Sequence, residues 1–529
     1  GTNLTGGGTS GGVTVNLTAS PNITSLSVGS SEVISSARQL KNIASVDATT
    51  VAALGAAGVG GGGGELELTA GEAITAGQLV SLNSAGNIEV AGANYGPEKN
   101  LGFSGTIAVE MNVAYSTTNN KFVMAWLQSS SQGIYAAVGT IASNGSITVG
   151  SAVQIEGATS GLDNGNIAYI PAQNSFVISW TDQSAGAQAR ACQISGTSLS
   201  LGSVVTYLSH SGGSVLAVDN SVGYSGGSSA ILQYGNYYGG GNYARGITVS
   251  GTSISLGSQQ SLGVTYYRQR KAFVYDSTAN KTIIGYGNGS EYRFRLGTMS
   301  GNSLSLGSTG TLSKNLNVKN NGAHDVVTDK NAFVFQNNTD SNTQSLVITV
   351  SGTSISLGAT TVISDTQYTE SGCITDGGGT VFIVMSAPYT GSGVAPVYMS
   401  TSITGTTLSA GVATTPDPSS LATGLGQPFY DDNSGFFGIF YTHSGTAYAR
   451  AISSGGIGAW IGIAAENISN GSTGKITVVG GINESQTGLV TGAYYGLPPS
   501  TGVLTKNGQP KIGLGISATK LFITTGGVS

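Results

Sequence analysis

A chain of 529 residues with 9% charged side chains, 84 glycines and a formal net charge of -5 falls outside the usual globular composition, yet it lacks the charge of a solvated disordered chain. The acidic balance, with a pI near 5.2, excludes the basic footprint of a nucleic-acid or anionic-lipid binder, and no apolar run approaches the length of a membrane-spanning helix. Gly, Ser, Thr and Asn supply turns while Val, Ile, Phe and Tyr build pleated surfaces, so the expected class is all-β, with more than one domain at this length.

Residues 1–64 are expected to form a fibre-like oligomerisation segment. Their alternation is sparse, as in Val13-Thr14-Val15-Asn16-Leu17, and too poor in large apolar groups to build a core without other copies of itself. One short helix is expected within Arg38 to Leu54, with Asp47 as N-cap and Gly58 as C-cap. The run Gly60 to Gly64 then reads as a flexible joint. The start Gly1-Thr2-Asn3-Leu4 carries no signal-peptide pattern, and without an initiating Met it points to a processed or incomplete N terminus.

Residues 65–104 change character: Leu66, Leu68, Ile74, Leu79, Val80, Leu82, Ile88 and Val90 are spaced by Ala-Gly and Ser-Ala-Gly-Asn turns. This run of strands is too short for a domain. Its complement stands in residues 460–529, at Trp460 to Ala464, Lys475 to Val479, Ile512 to Ile516 and Leu521 to Ile523. The two ends are expected to form one small β-barrel-like domain, with residues 105–459 inserted between them.

The inserted region repeats. Ser250-Gly251-Thr252-Ser253-Ile254-Ser255-Leu256-Gly257 returns as Ser195 to Gly202, Ser300 to Gly307 and Ser351 to Gly358, with weaker versions at Ser143 to Gly150 and Thr404 to Gly411. The interval is about fifty residues, the length of one supersecondary unit in an array. Seven buried-looking central strands set the phase, from Phe122 to Trp126 in the first unit through Phe176 to Trp180 in the second to Phe436 to Phe440 in the last. Each follows a hairpin turn such as Thr117-Thr118-Asn119-Asn120-Lys121. Four strands per unit repeated seven times predict a seven-bladed β-propeller rather than a linear solenoid, because neither end of the array has a polar capping repeat. The last unit lacks the Ser-Gly-Thr strand near Ser453 to Gly456, so its ring should be closed by chain from the barrel or the first unit.

Motifs for chemistry are weak. Gly223-Tyr224-Ser225-Gly226-Gly227 has the spacing of a serine-hydrolase elbow but fills a hairpin slot. The histidines His210, His324 and His443 fall in three different repeats with no metal-ligand spacing, and no calcium loop is present. Asp163, Asp182, Asp219, Asp276, Asp325, Asp329, Asp376, Asp431 and Asp432 could in principle supply the two carboxylates of a glycan-degrading enzyme. Several of them sit where Asp is favoured for turn hydrogen bonds. Cys192 and Cys373 lie several repeats apart in strand contexts and read as small buried apolar residues, not a disulfide. Arg190, Arg245, Arg295 and Arg450 return at one phase and read as architectural. The chain is therefore expected to be no enzyme and to need no cofactor or metal.

Departures from the repeat mark the expected ligand surface. From Tyr243 to Arg295, seven Lys/Arg stand against two Asp/Glu, or +5. Asn236, Tyr237, Tyr238, Tyr267 and Arg268 combine flat apolar rings with hydrogen-bond donors, which suits sugars.

Three stretches resemble structural proteins of tailed bacteriophages. Leu4-Thr5-Gly6-Gly7-Gly8-Thr9-Ser10-Gly11-Gly12-Val13-Thr14-Val15-Asn16-Leu17 is similar to tail-fibre shaft segments, and Leu40-Lys41-Asn42-Ile43 with Val46-Asp47-Ala48-Thr49-Thr50 to their connectors. Ala70 to Leu82 with Gly515-Ile516-Ser517-Ala518-Thr519 resembles a small β-domain of phage fibres and capsid-decoration proteins. The resemblance implies a homotrimeric virion fibre on the particle surface, joined to other virion proteins, whose propeller binds a host-surface glycan or protein. Alternatives are a capsid-decorating or neck appendage without a receptor, a polysaccharide-degrading tailspike, and a secreted bacterial adhesin.

Overall fold

The computed structural model describes residues 65–71, 73–82, 87–90, 97–103, 107–128, 133–142, 145–157, 163–182, 184–209, 217–236, 240–263, 272–287, 290–317, 322–388, 396–408, 424–443, 445–453, 460–496, 505–506 and 511–523, with four short strands before residue 65. The chain divides into two compact units, 1–64 and 65–529. In the first, Leu4–Thr5 pairs antiparallel with Asn16–Leu17, and Leu26–Val28 with Ser31–Ile34. The helix expected within Arg38 to Leu54 and the glycine joint after it lie outside the described residues.

In the second unit, seven antiparallel sheets follow one another along the chain. Blade 2 is typical: Asp163–Ile170, Ser175–Asp182, Gly186–Ser195 and Ser198–Ser209 pair in that order. The first strands of the others are Ile107–Ser116, Ala217–Tyr224, Ala272–Asp276, Ala323–Asp325, Tyr368–Thr375 and Phe429–Asp431.

Two recurring turns make the blade. The first strand ends on a buried polar residue whose side chain binds the turn backbone: Ala279 N–H donates to Asp276 Oδ1 at 2.8 Å, Val327 N–H to Asp325 Oδ1 at 3.1 Å and Asn433 N–H to Asp431 Oδ1 at 3.0 Å. A left-handed residue then reverses the chain, at Asn120 (φ 51°), Asn174 (46°), Asn280 (52°) and Asp329 (54°), where Asn and Asp are the best tolerated of the non-glycine residues. The third strand turns into the fourth at Gly196, Gly251, Gly301, Gly352 and Gly405, with φ of 63°, 56°, 58°, 57° and 60°. The repeated Ser-Gly-Thr is thus the outer turn, as its composition implied.

The second repeated glycine has a different cause. A Cβ added at Gly202, Gly257 or Gly358 would lie 1.9, 1.8 or 2.3 Å from the carbonyl oxygen of Thr252, Asn302 or Thr406, the outer turn of the next blade. The same turn accepts hydrogen bonds from the preceding blade's second strand: Lys121 Nζ to Gly196 O at 2.7 Å, Ser175 Oγ to Gly251 O at 2.7 Å and Ser229 Oγ to Gly301 O at 3.0 Å. Arginines act likewise. Arg190 donates to Gly202 O in its own blade at 2.7 Å and to Ile155 O in the previous one at 2.6 Å.

Seven apolar cores, one at each blade interface, close the ring. Trp180 packs with Val123 and Ile134 between blades 1 and 2, Tyr234 with Tyr207 between 2 and 3, and Phe333 with Phe294 between 4 and 5. The deciding interface joins last to first, where Met111, Phe122 and Trp126 share a core with Phe429, Phe436 and Phe440. A linear solenoid has no such contact. The missing strand of blade 7 comes from upstream of blade 1: Lys99–Asn100 pairs with Thr446–Ser453, Tyr448 facing Asn100 and Ala449 facing Lys99. Glu98 accepts a hydrogen bond from Tyr441 and lies 3.7 Å from Arg450. Cys192 and Cys373 are buried free thiols in these cores, each pushed up to about 12 by burial.

The propeller is inserted into a small barrel-like domain. Glu65–Thr69 pairs with Thr473–Thr477 and Leu79–Leu82 with Trp460–Ala464, so one sheet joins both ends of the insertion. A second sheet packs on it through Leu79, Ile463, Leu489, Tyr495, Leu521 and Ile523.

Candidate functional site at the channel mouth

The first strands of all seven blades line the central channel. The position before the mouth residue is small in four blades, Ala114, Ala168, Gly223 and Ala323, and at Gly223 a Cβ would lie 2.3 Å from the Phe273 ring. The next position along each strand points to the channel mouth and is Tyr115, Tyr169, Tyr224, Tyr275, His324, Thr375 or Tyr430, one per blade. Five of seven are tyrosine. These residues line an open cavity of about 500 Å³, with Thr117, Gln427, Asp376 and Asp432 adding polar groups.

The rings are held by specific partners. Tyr115 donates its phenol to Asp431 Oδ1 at 2.5 Å across the closure between blades 1 and 7, and stacks on Phe429 at 5.7 Å. Tyr169 donates toward Thr118 Oγ1 at 2.9 Å, with Asn174 Oδ1 3.1 Å away. Tyr224 and Tyr275 meet edge to face at 4.8 Å, and Tyr275 donates to Asn280 Oδ1 at 2.9 Å. Burial raises the Tyr224 and Tyr275 phenols above the ordinary tyrosine value, and burial together with Asp431 raises Tyr115 further. All three are neutral donors with flat apolar faces at neutral pH.

The carboxylates behind this ring are engaged in the fold. Asp276, Asp325 and Asp431 are at most 1% exposed and accept turn hydrogen bonds. Asp182 accepts from the Ser184 and Ala185 backbone. Ser225 of the elbow-like motif is buried and shares a 2.6 Å hydrogen bond with Thr282 Oγ1; neither partner is a general base.

No protein-family model matches this sequence, and no curated protein matches it. Solved structures do. They include the NanB sialidase of Streptococcus pneumoniae (11% identity over 67% of this chain and 70% of that one, TM-score 0.43), an Aleuria aurantia lectin solved with Fucα1-6GlcNAc (12%, 58% and 96%, TM-score 0.37) and a periplasmic gluconolactonase of Pseudomonas aeruginosa (11%, 78% and 99%, TM-score 0.39). Enzymes and a lectin stand side by side among these structures, and the likeness does not choose between them.

The residues singled out from sequence as the ligand surface are not among the described residues that line this cavity. Tyr237, Tyr238, Tyr267 and Arg268 are outside the described residues; Asn236 ends the second strand of blade 3, its backbone opposite Ala217 and Gly241. The tyrosine ring was missed. Its signal is a Tyr directly before the residue that opens each first hairpin, as in Tyr115-Ser116, Tyr224-Ser225, Tyr275-Asp276 and Tyr430-Asp431.

Proposed function

We propose that this chain is a virion fibre protein of a tailed bacteriophage that binds a host-surface glycan at the mouth of its propeller channel, without cleaving it. The observation that carries the binding reading is the ring of Tyr115, Tyr169, Tyr224, Tyr275 and Tyr430 around a cavity of about 500 Å³. Tyr115, Tyr224, Tyr275 and Tyr430 are half-buried and Tyr169 is buried; half-buried tyrosines offer ring faces to the apolar faces of sugars and phenols to their hydroxyls. The non-enzymatic reading draws support from Asp276, Asp325 and Asp431, whose oxygens serve the hairpins, and from Asp376 on the cavity wall, whose Oδ1 accepts from the Gly378 and Thr380 backbone. The fibre reading rests on the resemblance of Leu4 to Leu17 to shaft segments, and it implies a trimer held by residues 1–64.

The test is co-sedimentation of the purified protein with capsular polysaccharides and lipopolysaccharides, with reducing ends assayed in the supernatant. Saturable binding with no release of oligosaccharide is expected. Release that one carboxylate substitution abolishes would replace this reading with a glycan-degrading enzyme.

A further inference from the structure

Two departures from the repeat coincide at one point of the channel wall. Where five blades carry tyrosine in the ring, blade 5 carries His324. Where blades 1, 2 and 4 place Asn120, Asn174 and Asn280 at the left-handed hairpin position, blade 5 places Asp329. Both side chains converge on Asp276 of blade 4: one ligand atom from each of Asp276, His324 and Asp329 lies within 4.8 Å of the others.

The hydrogen bonds fix how His324 faces that cluster. Asn331, wholly buried, donates its amide to Asp276 Oδ2 at 2.8 Å, which turns its Oδ1 toward His324 Nδ1 at 3.2 Å. Nδ1 therefore faces Asn331, which leaves Nε2 as the ring nitrogen turned to the cluster. Nε2 is 3.7 Å from Asp276 Oδ1, with the two side chains 7% and 1% exposed. The Thr278 hydroxyl is 3.5 Å from Nε2, at the outer limit of a hydrogen bond. A cation shared between Nε2 and Asp276 Oδ1, a proton or a metal ion that displaces it, offsets the burial of the Asp276 carboxylate. A histidine whose other nitrogen is held by a second residue is the usual arrangement of a metal ligand.

We propose that Asp276, His324 and Asp329 bind one divalent transition metal, Zn²⁺ in preference to Ca²⁺, bridging blades 4 and 5 at the wall of the channel mouth. Ligands about 2.1 Å from a tetrahedral Zn²⁺ stand roughly 3.4 Å apart, so the observed 3.7 Å pair needs little movement, and exposed Asp329 can swing in. The imidazole nitrogen selects Zn²⁺ over the all-oxygen preference of Ca²⁺. No sequence spacing reveals such a site, because its ligands come from hairpins of two blades. The proposal is independent of whether the tyrosines bind a glycan.

Isothermal titration of the EDTA-treated full chain with Zn²⁺ near neutral pH tests it. One equivalent should bind with micromolar or tighter affinity and raise Tm. Asp329→Asn should weaken binding about tenfold or more while leaving the Tm of the metal-free protein unchanged, since Asn fills this backbone position in three other blades. His324→Tyr, which restores the residue of the other blades, should abolish the site, whereas His443→Ala should leave it intact. Absence of Zn²⁺ binding, equal affinity for Ca²⁺, or binding that survives both Asp329→Asn and His324→Tyr would overturn the proposal.

Discussion

The rim and the mouth of the propeller lie on the same face, because the third strand of each blade runs parallel to the first, yet they use repetition for different ends. At the rim the repeat is strict. Gly196, Gly251, Gly301, Gly352 and Gly405 must be left-handed, and Gly202, Gly257 and Gly358 must let the next blade's carbonyl approach. At the mouth the frame is kept but its contents vary: five tyrosines, a histidine and a threonine occupy one register. Strictness marks positions where backbone meets backbone. Variation marks positions that face open space, where a ligand can select the side chain.

The largest effect should come from alkali, which separates tyrosines of the blade cores from half-buried ones at the mouth. Burial raises the phenols of Tyr207 and Tyr292 in the blade cores, and burial with Asp431 raises Tyr115 at the mouth. In each case the folded state favours the protonated form. Their stabilisation is complete below the ordinary tyrosine value of 10.0 and is lost as pH rises beyond it toward their raised folded values. Absorbance at 295 nm should therefore show the core tyrosines ionising only with cooperative unfolding, and Tyr224 and Tyr275 ionising before it.

Gly257→Ala should come next. Its Cβ would stand 1.8 Å from Asn302 O, and overpacking against backbone costs about 3 kcal/mol, read as a fall in the denaturation midpoint. Gly307→Ala, whose nearest carbonyl is 3.0 Å away, should cost markedly less. Equal losses would mean that these glycines serve strand flexibility and not blade approach.

A paired Tyr224→Ala, Tyr275→Ala change should do the reverse, weakening saccharide binding about tenfold or more, or roughly 1.4 kcal/mol, with only a small shift in midpoint. The same assay on Tyr237→Ala, Tyr238→Ala distinguishes the mouth from the Tyr and Arg cluster suggested by sequence. The smallest effect belongs to the closure. Glu98→Ala removes the partner of Tyr441 and Arg450 and should cost about 1 kcal/mol, with faster proteolysis near Lys99.

The rim was legible in the sequence and the mouth was not, for physical reasons. Glycines that must be glycine in blades 2 to 6 leave a repeated motif, so the repeat could be read from Ser-Gly-Thr, the blade number from the seven central strands, and the need for a closing strand from the loss of the motif after Ser453. The ring tyrosines leave a blurred one. His324 and Thr375 interrupt it, and the step to the cross-strand partner is seven residues at Tyr115 and Tyr169 but six at Tyr224. Local density of Tyr then drew attention to Asn236 through Tyr243 instead. For aspartates such as Asp276 the sequence favours a turn role over a site. That reading holds for its bond to Ala279 but does not disclose His324, which reaches it from the neighbouring blade.

The most direct test of the account is a crystal structure of the protein soaked with a saccharide that it binds. The account predicts sugar density in the channel mouth, with rings against Tyr224 or Tyr275 and hydroxyls within hydrogen-bond distance of the mouth phenols. Density confined to the rim or to the segments around Tyr237 and Tyr267, with the mouth filled only by solvent, would contradict it.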